Sequence, residues 1–208
     1  MIKCVILDLG NVTIKFDETP TFKKWSSCGK YSFDEVKNYY KNSSVRKSFE
    51  RGEITSKQFY EKFVEDLKLK INLKDFEKCY CDIFSRNLEV EKIIKSFKGK
   101  VKLVLLSNIN EWQYKYAKKR YKIIDMFDEY VLSYKVGMRK PNPFIFLEAI
   151  KKSKTMPWNC IYFDDIKEFV VMARLMGIRA FQYKNMEKLN NELIKLKIKR
   201  QLHEKNYC

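Results

Sequence analysis

Four polar clusters in this chain each follow a short apolar run, and they hold the side chains best suited to chemistry. Asp8-Leu9-Gly10-Asn11-Val12 follows residues 2–7, and Ser107-Asn108 follows residues 101–106. Ser133 and then Gly137-Met138-Arg139-Lys140-Pro141 follow residues 130–132, and Asp164-Asp165 follows residues 160–163. Two or three carboxylates brought together repel one another unless a cation neutralises them, and an all-oxygen ligand set favours Mg²⁺. A lysine and a serine hydroxyl beside such an ion are suited to holding phosphoryl oxygens. A carboxylate at the edge of the metal can attack phosphorus and form an aspartyl-phosphate. Taken singly, each cluster has a plainer reading: Asp8 or Ser107-Asn108 as turn residues, Asp164-Asp165 as a helix cap. Their joint occurrence, in order and each at the end of an apolar run, points to one site.

The elements that would position them form a parallel sheet. The four apolar runs, with a fifth at residues 178–182, read as buried strands bounded by polar or turn residues. Helical patterns lie between the later ones: residues 111–121, residues 144–152 entered through Pro141-Asn142-Pro143, and residues 167–176 ending at Gly177 as a helix C-terminus does. This alternation predicts an α/β fold, a doubly wound, Rossmann-like parallel sheet with right-handed crossovers. Ligands of such sheets bind outside the carboxyl ends of the strands, where the four clusters fall.

Residues 17–95 break the rhythm. They show helical periods only, too many for one crossover. Ser32 with Glu35 has capping-box spacing, Thr55 or Ser56 caps a helix running through Phe59, Phe63 and Leu67, and Asn72 or Lys74 begins another. The expectation is an all-helical insertion at 17–95 in a core made of residues 1–16 and 96–208. The stretch beyond Met186 reads as a basic helix with a packing stripe of Leu189, Leu193 and Leu196.

Composition narrows the function classes. Apolar residues make up 45% of the 208 and aromatics 15%, so the chain is globular. No apolar run approaches the about 18 residues of a membrane span, and the opening run is too short for a signal peptide. A soluble cytoplasmic protein with no membrane partner is expected. The six cysteines show no CxxC and read as reduced thiols. The formal charge of +17 would attract anions, nucleic acid among them, but lysine is spread along the whole chain without an Arg-rich arm. No cysteine is followed six positions later by arginine, the single histidine is His203, and neither GxxxxGK[ST] nor GxGxxG occurs. Cysteine-nucleophile phosphatases, Ser-His-Asp hydrolysis, His-ligated zinc and dinucleotide cradles therefore lack support.

Over essentially its whole length the sequence resembles the haloacid dehalogenase-like (HAD) superfamily. Its four motifs correspond to Asp8-Leu9-Gly10-Asn11-Val12, Ser107-Asn108, Lys140-Pro141 and Asp164-Asp165, and residues 17–95 sit where that family carries a helical C1 cap. The Asp-x-Gly-Asn-Val motif, with Arg51-Gly52-Glu53 and the segment 137–141, is similar to a sugar-phosphate phosphatase branch. The resemblance implies that Asp8 attacks phosphorus and, with the Gly10 carbonyl, Asp164 and Asp165, ligates Mg²⁺. It further implies that Ser107 binds a phosphoryl oxygen, that Lys140 neutralises charge and keeps Asp8 ionised, and that Asn108 and Asn11 give local support. The substrate would be a small phosphorylated metabolite, chosen by the cap.

The chain departs from that pattern at Gly10 and in the segment after Asp165. The usual phosphatase has an aspartate two residues after the nucleophile, as general acid and base, and here Gly10 stands there. General acid–base catalysis contributes about 10²–10⁴ in rate. Asp17 and cap carboxylates such as Glu53 are the substitutes the sequence offers. Asp165 is followed by Ile166 and Phe169 where related sequences often carry Asn. Two further readings share the same residues: a phosphate-binding regulatory protein without turnover, and a phosphatase of nucleotides or RNA ends. The sequence does not name the substrate or the oligomeric state.

Overall fold

The computed structural model describes residues 1–196. His203, Cys208 and most of the basic tail lie outside the described residues. The chain opens with strands β1 (Cys4–Leu7) and β2 (Ile14–Phe16). Five helices follow: α1 (Thr19–Cys28), α2 (Phe33–Asn42), α3 (Ser44–Glu50), α4 (Ser56–Leu67) and α5 (Leu73–Cys81). Then come β3 (Phe84–Arg86), α6 (Leu88–Phe97), β4 (Lys102–Ser107), α7 (Glu111–Arg120), β5 (Glu129–Leu132), α8 (Ser133–Val136) and α9 (Pro143–Ser153). The last elements are β6 (Cys160–Asp164), α10 (Lys167–Leu175), β7 (Arg179–Gln182) and α11 (Met186–Lys195). No helix among the described residues is long and apolar enough to cross a membrane.

The main sheet has the order β5-β4-β1-β6-β7, with every pair parallel. Alternation along each strand sends side chains into two cores. Val5, Leu7, Leu103, Leu105, Ile161 and Phe163 face one, with Val90 and Ile94 of α6, Ala117 of α7 and Leu189 and Leu193 of α11. Cys4, Ile6, Val104, Leu106, Cys160 and Tyr162 face the other, with Ile145 and Phe146 of α9 and Val170 and Ala173 of α10. Burial on both faces is why these strands read as nearly continuous apolar runs rather than alternating ones. In register, Leu7 lies beside Leu105 and Phe163, which brings the ends of β1, β4 and β6 to one edge.

Helices α1–α5 gather round an aromatic cluster of their own. Trp25 is fully buried, stacked at 4.9 Å on Phe76 and tilted at 5.5 Å against Phe63. The expected capping box at Ser32–Glu35 is present; Thr55 caps α4 with Gln58 as its reciprocal partner, and Asn72 caps α5. Each cap satisfies amide groups that the first turn leaves unpaired.

The expectation of no strand between residues 17 and 95 fails at β3. Phe84–Arg86 pairs antiparallel with β2, so the chain leaves and re-enters the sheet-bearing part through adjacent strands. Three half-exposed residues are too few to show a two-residue period. Cys4, Cys28, Cys79, Cys81 and Cys160 are all free, as read from their spacing.

Candidate functional site

Asp8 is the first residue beyond β1, and its amide donates to the Phe163 carbonyl of β6 at 3.0 Å. The chain then turns: the Thr13 hydroxyl donates to the Asp8 carbonyl at 2.6 Å, and Asn11 adopts the left-handed conformation at φ +56°. Asparagine tolerates that region because its short polar side chain bonds locally. Asn11 Nδ2 donates to Asp165 Oδ2 at 3.1 Å, tying the first cluster to the fourth.

Lys140 joins the third cluster to both. It is only 2% exposed, and its Nζ donates to Asp8 Oδ1 and Asp164 Oδ2, each at 2.6 Å, and to Tyr162 Oη at 3.2 Å. The Tyr162 hydroxyl also bonds Asp164 Oδ2. The Phe169 ring closes over the ammonium, with its centroid 5.0 Å from Nζ. Burial alone would strip Lys140 of its proton, but Asp164 and Asp8 outweigh it and hold its pKa above the ordinary value. Asp8 is pushed up to about 7, chiefly by burial, with Lys140 opposing and Asp164 and Asp165 adding to the rise. Asp165 is raised by burial, with Asn11 opposing.

Asn108 donates from Nδ2 to the Lys140 carbonyl at 3.0 Å and accepts from the Lys140 amide at 2.7 Å. Its side chain is thus spent on holding the lysine's backbone. Ser107, by contrast, is buried at the tip of β4, lines the cavity, and has no side-chain hydrogen bond among the described residues. Its hydroxyl remains available to a ligand. Ser133 is structural: its Oγ donates to the Ile109 carbonyl and accepts from the Ile109 amide, both at 2.9 Å.

A cavity of about 350 Å³ covers this edge, and Asp8, Gly10, Ser107, Asn108, Lys140, Asp164 and Asp165 all line it. Glu18, Tyr40, Arg46, Glu50 and Arg139 also line it, and of these only Arg139, as part of the segment 137–141, was singled out from sequence. Glu50, on α3, is buried between two guanidinium groups: Arg46 Nη1 at 2.9 Å and Arg139 Nε at 2.5 Å. Arg46 in turn lies 4.8 Å over the Tyr40 ring. Glu18 is half-buried, and its carboxyl is raised chiefly by that burial, with Tyr40 and Arg46 opposing. The substitutes offered by sequence are elsewhere. Asp17 is exposed and accepts from the Thr19 amide at 2.9 Å. Glu53 pairs with Arg51 at the surface, and neither residue lines the cavity. Gly52, between them, has its own reason: at φ +70° a Cβ there would stand 2.3 Å from the Tyr134 carbonyl oxygen.

The donor set suits a hard divalent cation. Asp8 and Asp164 share the Lys140 ammonium, Asp165 lines the same cavity, and Asp8 Oδ2 accepts no hydrogen bond among the described residues. A second cation would relieve the repulsion that adds to the effect of burial on Asp8 and Asp165. As the side chains stand, no three acids among the described residues converge as a ready metal cluster, because Lys140 lies between Asp8 and Asp164.

Several known proteins are similar to this chain. Among curated proteins, D-ribitol-5-phosphate phosphatase of Bacteroides thetaiotaomicron is 22% identical over 201 residues, 93% of this chain and 97% of the relative. Among solved structures, a HAD family enzyme of B. thetaiotaomicron in complex with magnesium and inorganic phosphate superposes with a TM-score of 0.80. It is 23% identical, over 88% of this chain and 95% of that one. L-2-haloacid dehalogenase of Xanthobacter autotrophicus superposes at 0.66 with 15% identity, over 94% and 83%. These likenesses establish the shared fold. The model of the haloacid dehalogenase-like hydrolases matches residues 19–182, and with most of its length so matched the chain belongs to that family.

Proposed function

We propose that this hydrolase is a Mg²⁺-dependent phosphatase of a small phosphorylated metabolite, with Asp8 as the nucleophile that becomes phosphorylated. The observation that carries this reading is the contact of Lys140 Nζ with both Asp8 and Asp164, beside the free hydroxyl of Ser107, in one cavity. The matched family segment begins after Asp8, so the nucleophile's assignment rests on its place at the end of β1. Asp8, the Gly10 carbonyl, Asp164 and Asp165 would hold the metal, which when bound neutralises phosphoryl charge and orients the group. Lys140 holds Asp8 in its attacking orientation and adds a positive charge against the phosphoryl oxygens. Ser107 donates to one of those oxygens.

Helices α1–α5 serve as the cap, through Glu18, Tyr40, Arg46 and Glu50 in the cavity wall. A cavity of about 350 Å³ suits a small substrate better than a nucleic-acid strand. Mutual neutralisation of Glu50 with Arg46 and Arg139 leaves that wall without a strong excess of positive charge, which favours a hydroxylated leaving group over a second phosphate. A polyol or sugar phosphate fits, in keeping with the substrate named for the B. thetaiotaomicron relative and with the branch that shares an Asp-x-Gly-Asn-Val motif. Gly10 favours a second reading, phosphate binding without turnover.

Hydrolysis of p-nitrophenyl phosphate, with and without Mg²⁺ and with Asp8→Asn as control, separates the two. Metal-dependent turnover abolished by the substitution is the expected result. Full turnover in Asp8→Asn would remove the mechanism, and inorganic phosphate binding without turnover would favour the second reading.

A further inference from the structure

The chain lacks a carboxyl at position 10, yet the cavity supplies one from another direction. Six acids line it, and five are otherwise accounted for. Asp8 and Asp164 hold Lys140, Asp165 accepts from Asn11, Glu50 is spent on two arginines, and Glu168 is exposed at the start of α10. Glu18 is the sixth: half-buried, bonded to Tyr40 and without an ion pair among the described residues, it makes no contact with the Asp8, Lys140 and Asp164 group. It stands at the N-cap position of α1, two residues past Phe16, the last residue of β2, and Phe16 is also the nearest neighbour of Gly10's open face. Glu18, Phe16 and Gly10 thus line one cavity, with Phe16 packed on the side of Gly10 where an aspartate side chain would begin.

We propose that Glu18 is the general acid and base of this enzyme; the inference rests on the phosphatase reading above. As Asp8 Oδ bonds to phosphorus, the bond from phosphorus to the leaving oxygen breaks, and protonated Glu18 gives its proton to that oxygen, releasing an alcohol. Water then attacks the phosphorus of phospho-Asp8 and the acyl-phosphate P–O bond breaks. The water's proton passes to Glu18, so that inorganic phosphate leaves and both carboxyl groups return to their starting states. Burial of Glu18 favours the protonated form that the first half-reaction needs. The groups facing it are Tyr40 and Lys41 of α2 and Arg46 and Glu50 of α3; Tyr40, Arg46 and Lys41 oppose the rise while Glu50 adds to it.

The test compares wild type, Glu18→Gln and Glu18→Asp on aryl phosphates of graded leaving-group basicity, from p-nitrophenyl to phenyl phosphate. An enzyme that protonates its leaving group depends little on that basicity. Glu18→Gln is expected to keep most of its first half-reaction on p-nitrophenyl phosphate and to lose about 10²-fold in kcat/KM on phenyl phosphate. The basic limb of the pH profile should vanish with it, and Glu18→Asp should restore both in part. Without a base for water, Glu18→Gln mixed with p-nitrophenyl phosphate should accumulate phospho-Asp8, read as one added phosphoryl group in the intact mass. Equal losses on both substrates, or none, in a folded Glu18→Gln protein would overturn Glu18's role while leaving the phosphatase reading intact. Absence of turnover by the wild type would remove both.

Discussion

Asn108 grips Lys140 by its backbone, donating to its carbonyl at 3.0 Å and accepting from its amide at 2.7 Å. The lysine's ammonium is thereby fixed relative to β4, on which Ser107 also sits. Asn108→Ala should lower kcat/KM on p-nitrophenyl phosphate by about 10²-fold, the usual consequence of misplacing a catalytic group by an ångström. The unpaired Lys140 amide should cost about 1–3 kcal/mol in urea unfolding. Wild-type kinetics in this variant would show that Lys140 is positioned by its ion pairs alone.

Gly10 has no conformational claim on its position. A Cβ there would meet nothing nearer than Phe16 Cδ1 at 3.6 Å, an ordinary contact, and its φ lies outside the left-handed region. Gly10→Asp should therefore fold with little change in Tm. It should also raise turnover of phenyl phosphate more than that of p-nitrophenyl phosphate, and rescue Glu18→Gln on the former. Failure of that rescue in a folded double variant would mean that position 10 does not point at the leaving oxygen.

The raised pKa of Glu18 carries a signed prediction for stability. The native protein holds this proton more tightly than the unfolded chain, so it binds more protons between the ordinary value of 4.5 and the raised one. Stability contributed by Glu18 is therefore full below that interval and falls as pH rises through it. Glu18→Gln removes the cost of ionisation. Its Tm should exceed that of the wild type at neutral pH, and the difference should shrink to nothing below the ordinary carboxylate range. A gap that widens as pH falls would show the opposite shift.

Metal binding is measurable without catalysis. An ion that binds only the folded form stabilises it by about 2.7 kcal/mol at a hundred times its Kd. Mg²⁺ should raise Tm and EDTA reverse the rise, while Asp164→Asn should abolish the response. An equal response in Asp164→Asn would place the ion elsewhere.

Glu50 links α3 to the loop that carries Lys140, through Arg139. Glu50→Ala leaves Arg46 and Arg139 without their shared counter-ion, and the loss is expected to be about 3 kcal/mol by chemical denaturation. KM should rise with it, because both arginines line the cavity. A change in stability with KM untouched would make the cluster purely structural.

What the sequence made legible follows from where each signal is stored. β1, β4 and β6 are buried on both faces over most of their length, so residues 4–7, 103–106 and 160–163 are apolar, and the polar residue that follows each stretch marks the site. Caps such as Ser32 with Glu35 are local in sequence and could be read directly. β2 and β3 are three residues each and half-exposed, too short to carry a pattern. Glu18, Arg46, Glu50 and Arg139 meet only because helices and sheet close on one another, and no spacing in the chain encodes that meeting. The Phe169 ring over Lys140 likewise depends on α10 packing against the loop that carries the lysine.

Trp112 belongs to α7 by chain order and to the helical cluster by packing, with its ring centroid 5.7 Å from Phe49, 6.4 Å from Phe59 and Phe76, and 6.5 Å from Tyr80. Nearby, Asn110 donates to the Tyr80 hydroxyl at 2.9 Å. Helices α1–α5 are consequently not a transplantable module. Grafted onto another sheet, they would carry an open aromatic socket where the indole sits, and apolar surface so exposed invites aggregation. A chimera that exchanges substrate preference with a relative must cut along this packing seam and take the outer face of α7 with the helices it completes.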